Sequence, residues 1–505
     1  MRLPLIGAYN TRPGATAALP TSSGVVGVGI VGIMIVGLVV QASQKDLRFI
    51  NCFVQGVPDD LKRETQAYCV KRPGVDDAFT PAAGSIGNDV HVWVGQGAGN
   101  AVISAFGATN STIYNNTTSL GAITGRATIV ETTVSGTATL IFSSTDSTGW
   151  YYPDGGTLTK ITHAQFPGNN GLTLAGTFAP LGGYAFIMTT TAPGRVYSPD
   201  TPNTVTTWNE NNYYANNSYP DKGVGCIRHR QTIVAFSATH FEVLRNAGIP
   251  GPGSPLQRLD DLTQKISAIT AAAIINVQDV IYFAGSTQQA NVSIYSYDGG
   301  KAEPISTPPI NAQLLQAGPS NISLSAVSWY GVPVLIVQAA NLTYGYAIGQ
   351  SNPWFEMSSS FPFWQRADGL SVGTSIINYL VSTTNNSGIV YVMNPTQAVY
   401  TDNGFAYTAT IQTATHDEGT LNRKIYNSLA VVGDQETGTS TLSVNWTDDD
   451  FVSFNSDTRS IDLTSPYRVA RRLGTARKRA WKLTHSSNTP MRLQALDLDI
   501  TPMQS

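Results

Sequence analysis

Charge is scarce in this chain. Only 12% of its 505 residues are Asp, Glu, Lys or Arg, about half the usual share of roughly 25%. The 30 basic residues are outnumbered by 33 acidic ones, for a net charge of −3. No overall basic excess exists to neutralise phosphates, which excludes a protein that grips nucleic acid by net attraction. A channel along which DNA merely slides is not excluded. Cysteine is scarce too. Cys52, Cys69 and Cys226 are an odd set without a C-x-x-C spacing, which rules out a disulfide framework and a cysteine zinc knuckle. They fit buried free thiols in a protein assembled in a reducing cytoplasm. The six histidines (His91, His163, His229, His240, His416 and His485) show no HExxH spacing, so no metal site is expected. A GxSxG nucleophile elbow is missing. Gly95, Gly97 and Gly99 form GxGxG without a Walker lysine, which reads as a hairpin turn. No catalytic residue, cofactor or metal is therefore assigned, and the chain is expected not to be an enzyme.

The place of charge is taken by Gly (47 residues) and by Thr, Ser and Asn, residues suited to strands and turns. From Asp89 to about Tyr400 short runs such as HVWVG, ATIVETTV, ATLIFSS, TIVAFS, VIYFAG and PVLIVQ recur between Gly, Asn, Asp and Pro. Runs of four to eight β-branched and aromatic residues at such spacing predict an all-β chain with few helices. A β-propeller-like domain is expected over residues 81–402, with no legible blade count. Residues 403–505 alternate apolar and polar positions, as in Met491, Leu493, Ala495 and Leu498, and predict a β-sandwich-like domain. Residues 1–80 are left as an extended assembly segment. The main helix candidate is DDLTQKISAITAAAIIN, Asp260 to Asn276, which reads equally well as a loop entering a strand.

Two segments stand apart. Gly24 to Val40 holds no polar residue. As a helix it would span about 25 Å, short of a bilayer core of roughly 30 Å. Its glycines and its many Val and Ile residues favour an extended strand instead. A buried assembly segment presenting Val28, Ile30, Ile33 and Ile35 is expected, and a membrane span is the weaker reading. The other is YRVARRLGTARKRAWK, with Arg468, Arg471, Arg472, Arg477, Lys478 and Arg479. These six are candidate subunit-interface residues, weighed equally against an ordinary solvated face and well above DNA contact. Trp208, Tyr213 and Tyr214 form a candidate sugar platform, for which core packing is an equal explanation. SSTDSTGW (Ser143 to Trp150) resembles the Asp-box of sialidase-type propellers, but with the glycine misplaced.

Several blocks, in order, resemble the tail hub or nozzle proteins of short-tailed bacteriophages, also called packaged DNA stabilization proteins. They are LPLIGAYNTR at the start, RFINCFVQ followed by YCVKRPGV, RHRQTIVAFSATHFEVLRNAG, and at the end WTDDDFVSF, YRVARRLGTARKRAWKLT and LQALDLDI. They cover about a third of the chain, mainly 1–12, 47–75, 225–300 and 440–500. The run Gly24 to Val40 and much of 80–220 depart from the pattern. The resemblance implies a structural virion protein, assembled in the host cytoplasm and located in the tail. It further implies a six-fold homo-oligomeric ring below the portal and adaptor that extends the DNA channel, helps retain packaged DNA and docks fibres or a needle. DNA would pass without sequence-specific binding, and no membrane partner is expected. A glycan-binding or glycan-cleaving propeller, or a membrane-anchored surface protein, are the rival readings.

Overall fold

The computed structural model describes residues 2–4, 47–56, 67–93, 100–216, 218–248, 253–287, 291–351, 353–359, 366–372, 375–382, 387–393 and 399–503. The run Gly24 to Val40, with Val28, Ile30, Ile33 and Ile35, lies outside them, as do Gly95, Gly97 and Gly99. Two units divide the chain. One holds residues 73–346 and 359–405, the other 1–72, 347–358 and 406–505. The division runs differently from that expected at residues 80 and 402: the described part of 1–72 shares a unit with 406–505 instead of standing alone.

The first unit is a seven-bladed propeller. Blade 1 is the antiparallel meander Ile86–Trp93, Asn100–Phe106, Asn110–Asn115 and Thr118–Thr124. Blade 2 begins at Ala127–Val134, blade 3 at Leu174–Leu181 and blade 4 at Gly223–His229, each with four strands. In blade 5 both Ser267–Ala268 and Ile274–Val277 pair with Val280–Ser286. Blade 6 begins at Ile322–Trp329, and blade 7 at Arg366–Val372. The first strands touch one another in order, and that of blade 7 returns to that of blade 1. Blade 7 takes its outer strand, Asp76–Phe79, from the start of the unit, paired to Val390–Met393. The ring is thus closed by a strand some 310 residues distant in sequence, a non-local pairing that no local pattern announces.

The second strands of the blades are buried on both faces, because each blade packs between two neighbours. Thr232–Ser237 and Tyr184–Thr189 are buried at every position after the first, and so read as unbroken apolar runs. Tight hairpins join first to second strands. Ser135-Gly136 (φ 50° and 82°) and Tyr330-Gly331 (φ 49° and 79°) both take two consecutive left-handed residues, the type I′ geometry that matches strand twist.

Of the two readings of Asp260 to Asn276, the loop entering a strand holds, and no α-helix forms there. That stretch holds two 3₁₀ turns, Asp260–Leu262 and Ala271–Ala273, and short strands. The α-helix described lies instead at Pro308–Ala317, after Thr307 and with prolines in its first turn, a start that suits proline because no intrahelical N–H is needed there. The alanines that suggested a helix serve close packing. The turn Ala271–Ala273, within blade 5, touches the first strands of blades 3, 4 and 6, so it is wedged among the first strands of neighbouring blades. A Cβ on Gly176 would lie 2.7 Å from the Cβ of Ala271, and one on Gly225 3.4 Å from it. Gly176 also holds φ 72°, a left-handed conformation costing an L side chain roughly 1–2 kcal/mol. Gly176→Ala is expected to destabilise the propeller by about 2 kcal/mol, read as a lower unfolding midpoint of the full chain. An unchanged midpoint would mean that the turn is not wedged against these first strands.

The second unit packs two sheets. One joins Cys52–Gly56, Ala67–Lys71, Arg492–Pro502, Lys424–Gly433 and an edge of Val469–Arg471 and Thr475–Ala476. The other joins Trp354–Met357, Arg48–Ile50, Ala409–Gln412, Ala480–His485, Thr441–Thr447 and Arg459–Asp462. Tyr426 of the first sheet meets Trp481 of the second at 5.8 Å between ring centroids, and Phe53 meets Phe355 at 5.8 Å. The chain crosses from one sheet to the other at the fully buried Asn51 (φ 55°). Arg72 fixes that crossing: its Nε donates to Asn51 Oδ1 at 2.9 Å, and its guanidinium stacks 3.7 Å from the Tyr407 ring. The spacing between the asparagine strand and the R-P-G turn is therefore a packing requirement.

Candidate functional site

The first strands of a propeller surround its axis, and three of them bring five charged side chains together. Asp89 and His91 come from blade 1, Glu131 from blade 2, and Arg366 and Asp368 from blade 7. His91 Nδ1 lies 3.0 Å from Asp368 Oδ2 and its Nε2 3.2 Å from Glu131 Oε2. The Asp368 carboxylate also accepts the Val92 N–H at 2.9 Å, and Asp89 accepts the Ile129 N–H at 2.8 Å. Burial alone would disfavour a charged His91. The hydrogen bonds to Asp368 and Glu131 outweigh it and push the imidazole up to about 10. Burial likewise raises Asp89 and lowers Arg366, each opposed by the other's charge. The protonated His91 therefore straps the first blade to its neighbours on both sides, including the one across the seam where the ring closes.

A second cluster lies where blade 3 hands over to blade 4. Glu242 and His240 are fully buried. Glu242 accepts the Tyr214 hydroxyl at 2.8 Å and the Ser218 N–H at 3.2 Å, with Arg258 Nη1 at 3.4 Å. His240 Nε2 stands 3.5 Å from Glu242, and its Nδ1 3.4 Å from Asp221. Asp221 in turn accepts Thr239 N–H at 2.7 Å and Thr239 Oγ1–H at 2.6 Å. Burial opposes ionisation of Glu242, but these donors hold its carboxyl down at about 2. An Asp–His–Glu chain invites a catalytic reading, yet the two central groups have no surface through which a substrate could reach them. The cluster fastens loop to turn. Blade 2 repeats the arrangement with a hydroxyl, Thr145 Oγ1 accepting the Arg126 N–H at 2.9 Å, in the turn that resembled an Asp-box.

The basic segment divides by function. Arg479, expected at an interface, is 1% exposed and belongs to the core of the second unit. It forms a two-pronged ion pair with Asp448 at 2.7 and 2.8 Å, donates to Leu473 O at 2.6 Å, and faces the rings of Tyr426, Trp446 and Trp481 at 4.2, 5.0 and 5.3 Å. Lys478 pairs with Asp450, and Arg468 donates to Asp434 O at 2.6 Å. Arg471, Arg472 and Arg477 are exposed. They lie between the buried Ala470, Leu473 and Ala476, which recur every third position because left-handed Arg472 (φ 61°) and Gly474 (φ 79°) separate the two edge strands.

The remaining candidates resolve into packing. Trp208 is buried against Phe166, Tyr213 stacks on Tyr197 beneath Arg195, and Tyr214 is engaged by Glu242, so these aromatics offer no open sugar platform. All three cysteines are buried free thiols, with Cys226 pushed up to about 12 by burial. Among the described residues no group of three or more His, Cys, Asp and Glu is placed to hold a metal ion, and no helix is long and apolar enough to cross a membrane. The axial cluster escaped the sequence reading. Its trace was the polar alternation Asp89, His91 within DVHV, which shows that the positions share a face but not which blades supply their partners.

The family model described as Phage_stabilise, bacteriophage P22 Gp10, beta-propeller, matches residues 62–397. No curated protein matches the chain. Among solved structures, the extracellular domain of the putative hybrid two component system BT4673 from B. thetaiotaomicron aligns at 12% identity and TM-score 0.38 over 73% of this chain. A structure titled as the putative one component system BT4673 aligns at 11% and 0.39 over 78%. The chain spans only 44% and 46% of those two chains.

Proposed function

From the premise that this chain belongs to the bacteriophage P22 Gp10 β-propeller family of phage structural proteins, we propose that it is a tail hub. Six copies form a ring below the portal and adaptor, extend the DNA channel, help retain packaged DNA and dock fibres or a needle, without enzymatic activity. The observation that carries this reading is the family match over residues 62–397, the propeller. Within the propeller, Gly176 of blade 3 and Gly225 of blade 4 meet the Ala271–Ala273 turn of blade 5 at side-chain contact. In this reading the channel is enclosed between copies of the chain, not within one propeller. Low charge density suits such a wall, which should pass phosphates without holding them. Permanent rings of this kind typically bury roughly 2,000 Å² or more per interface. Electron cryo-microscopy of the particle is expected to place six copies around a continuous channel below the portal. Density in a peripheral fibre, in a membrane or in no particle would overturn the proposal.

A further inference from the structure

One end of the second unit is apolar at its surface. Four large hydrophobic residues, Leu421 (68% exposed), Ile425 (37%), Val452 (86%) and Met503 (39%), project from loops and from the start of the strand Lys424–Gly433, which are tied together there. Lys424 Nζ donates to the carbonyls of Asp417 at 2.7 Å and Arg477 at 2.6 Å, Met503 N–H donates to Arg423 O at 2.8 Å, and His416 and Arg479 exchange backbone hydrogen bonds at 2.9 Å. Lys478 ties Asp450 to the same end.

The loop carrying Val452 is held rigidly. Asp449 accepts Ser453 N–H at 3.0 Å, Ser453 Oγ–H at 2.6 Å and Thr447 Oγ1–H at 2.6 Å. Asp450 (φ 57°) and Phe451 (φ 69°) then both sit in the left-handed region, which L residues rarely adopt and which persists where surrounding contacts over-determine it. A strained, pinned turn that displays valine to solvent is pre-organised for contact. Arg423 and Arg477 flank it, exposed, and neither forms an ion pair among the described residues.

The complementary chemistry is found on the propeller. Its closing strand carries Asp76 and the exposed Asp77, neither paired with a cation among the described residues, and the nearby Phe405 is 59% exposed. Asn403 N–H donates to Val75 O at 2.5 Å, which holds that turn beside the strand. Burial, then the charges of Asp77 and Asp402, raise Asp76 above the usual carboxylate range, so a cation arriving there would be welcomed. The two surfaces are unlike each other, as a head-to-tail contact that closes into a ring requires.

We propose that the apolar end of the second unit, with Arg423 and Arg477, docks on the Asp76, Asp77 and Phe405 surface of a second copy of this chain. The proposal rests on the ring reading above and names the faces that meet. The test is a charge exchange in the full-length protein, with assembly measured by mass photometry across a concentration series. Arg423→Glu with Arg477→Glu, and separately Asp76→Lys with Asp77→Lys, are each expected to raise the concentration at half-assembly by about tenfold or more, and the four changes together to restore it. Val452→Asp should weaken assembly as the first pair does, with the thermal midpoint unchanged. Where assembly occurs only on the virion platform, the same loss and rescue are read as incorporation into particles. Assembly indifferent to the exchanges, or not restored by the combined set, would overturn this contact and leave the ring standing. A wild-type chain that joins no copy of itself in either setting would overturn both. Slow thiol labelling of a Leu421→Cys variant in dilute monomer would show this end already covered within a single chain, and would likewise overturn the contact.

Discussion

Replacing Arg479 by methionine is expected to lower the stability of the second unit by about 2–3 kcal/mol, since the guanidinium is buried while its partner Asp448 stays exposed to water, and hydrogen bonds to charged groups are worth roughly 1.5–3 kcal/mol. Several terms add. Asp448 loses both prongs of its pair, the carbonyl of Leu473 loses a buried donor, and the facing rings of Tyr426, Trp446 and Trp481 lose a cation worth up to about 2 kcal/mol when desolvated. Methionine fills much of the volume, so the loss reports charge and hydrogen bonds more than a cavity. Arg479→Lys should recover only part, because an ammonium cannot serve Asp448 through a planar fork while also lying over three rings. Trp446 and Trp481 provide the signal: the tryptophan fluorescence transition that reports them should move to lower denaturant concentration in the full chain. Exposed Arg471→Met, three positions beyond Arg468 in the same segment, should shift it by no more than about 0.5 kcal/mol. Equal effects at both sites would mean that the cage does not hold the unit together.

That contrast also marks where sequence reading stops. YRVARRLGTARKRAWK shows its charge density plainly, but charge density cannot tell a guanidinium inside a cage from one on an edge. What could have separated them is the spacing of Ala470, Leu473 and Ala476, which recur every third position and place Arg479 next in the same buried series. The β-rich class and the propeller were legible for a local reason, since strands of four to eight residues bounded by turn chemistry are short-range features. The number of blades was not, because it depends on Asp76–Phe79 finding Val390–Met393. The stretch around Ala271 was legible only as helix or loop entering a strand, because alanine favours helices in isolation and is equally the residue that fits where strands converge. The His91 strap and the Glu242 network were invisible for the same reason as the blade count: each draws partners from different blades. The asparagine strand and the R-P-G turn could be recognised as a pattern, while their reason, Arg72 bonded to Asn51, is a contact between separate strands.

Acidification should unfasten the propeller in a defined window through Glu242. Its carboxyl lies at about 2 in the folded chain against an ordinary value of 4.5. A depressed folded value means that the unfolded chain binds the proton more readily. The stabilisation is then fully present above pH 4.5 and is lost as pH falls toward 2. A displacement of about 2.5 units corresponds to about 3 kcal/mol at most. Protonation would deprive Tyr214, Ser218 and Arg258 of their charged acceptor and loosen the turn that His240 and Asp221 hold. Glu242→Gln keeps the shape while removing the charge, so it should be less stable than the parent at pH 7 by a similar amount and should flatten the acid limb of the stability curve below pH 4.5. Thermal midpoints of the two proteins measured from pH 7 to pH 2 should therefore converge as the pH falls. Parallel curves would place the acid sensitivity elsewhere and reduce the Glu242 network to ordinary packing.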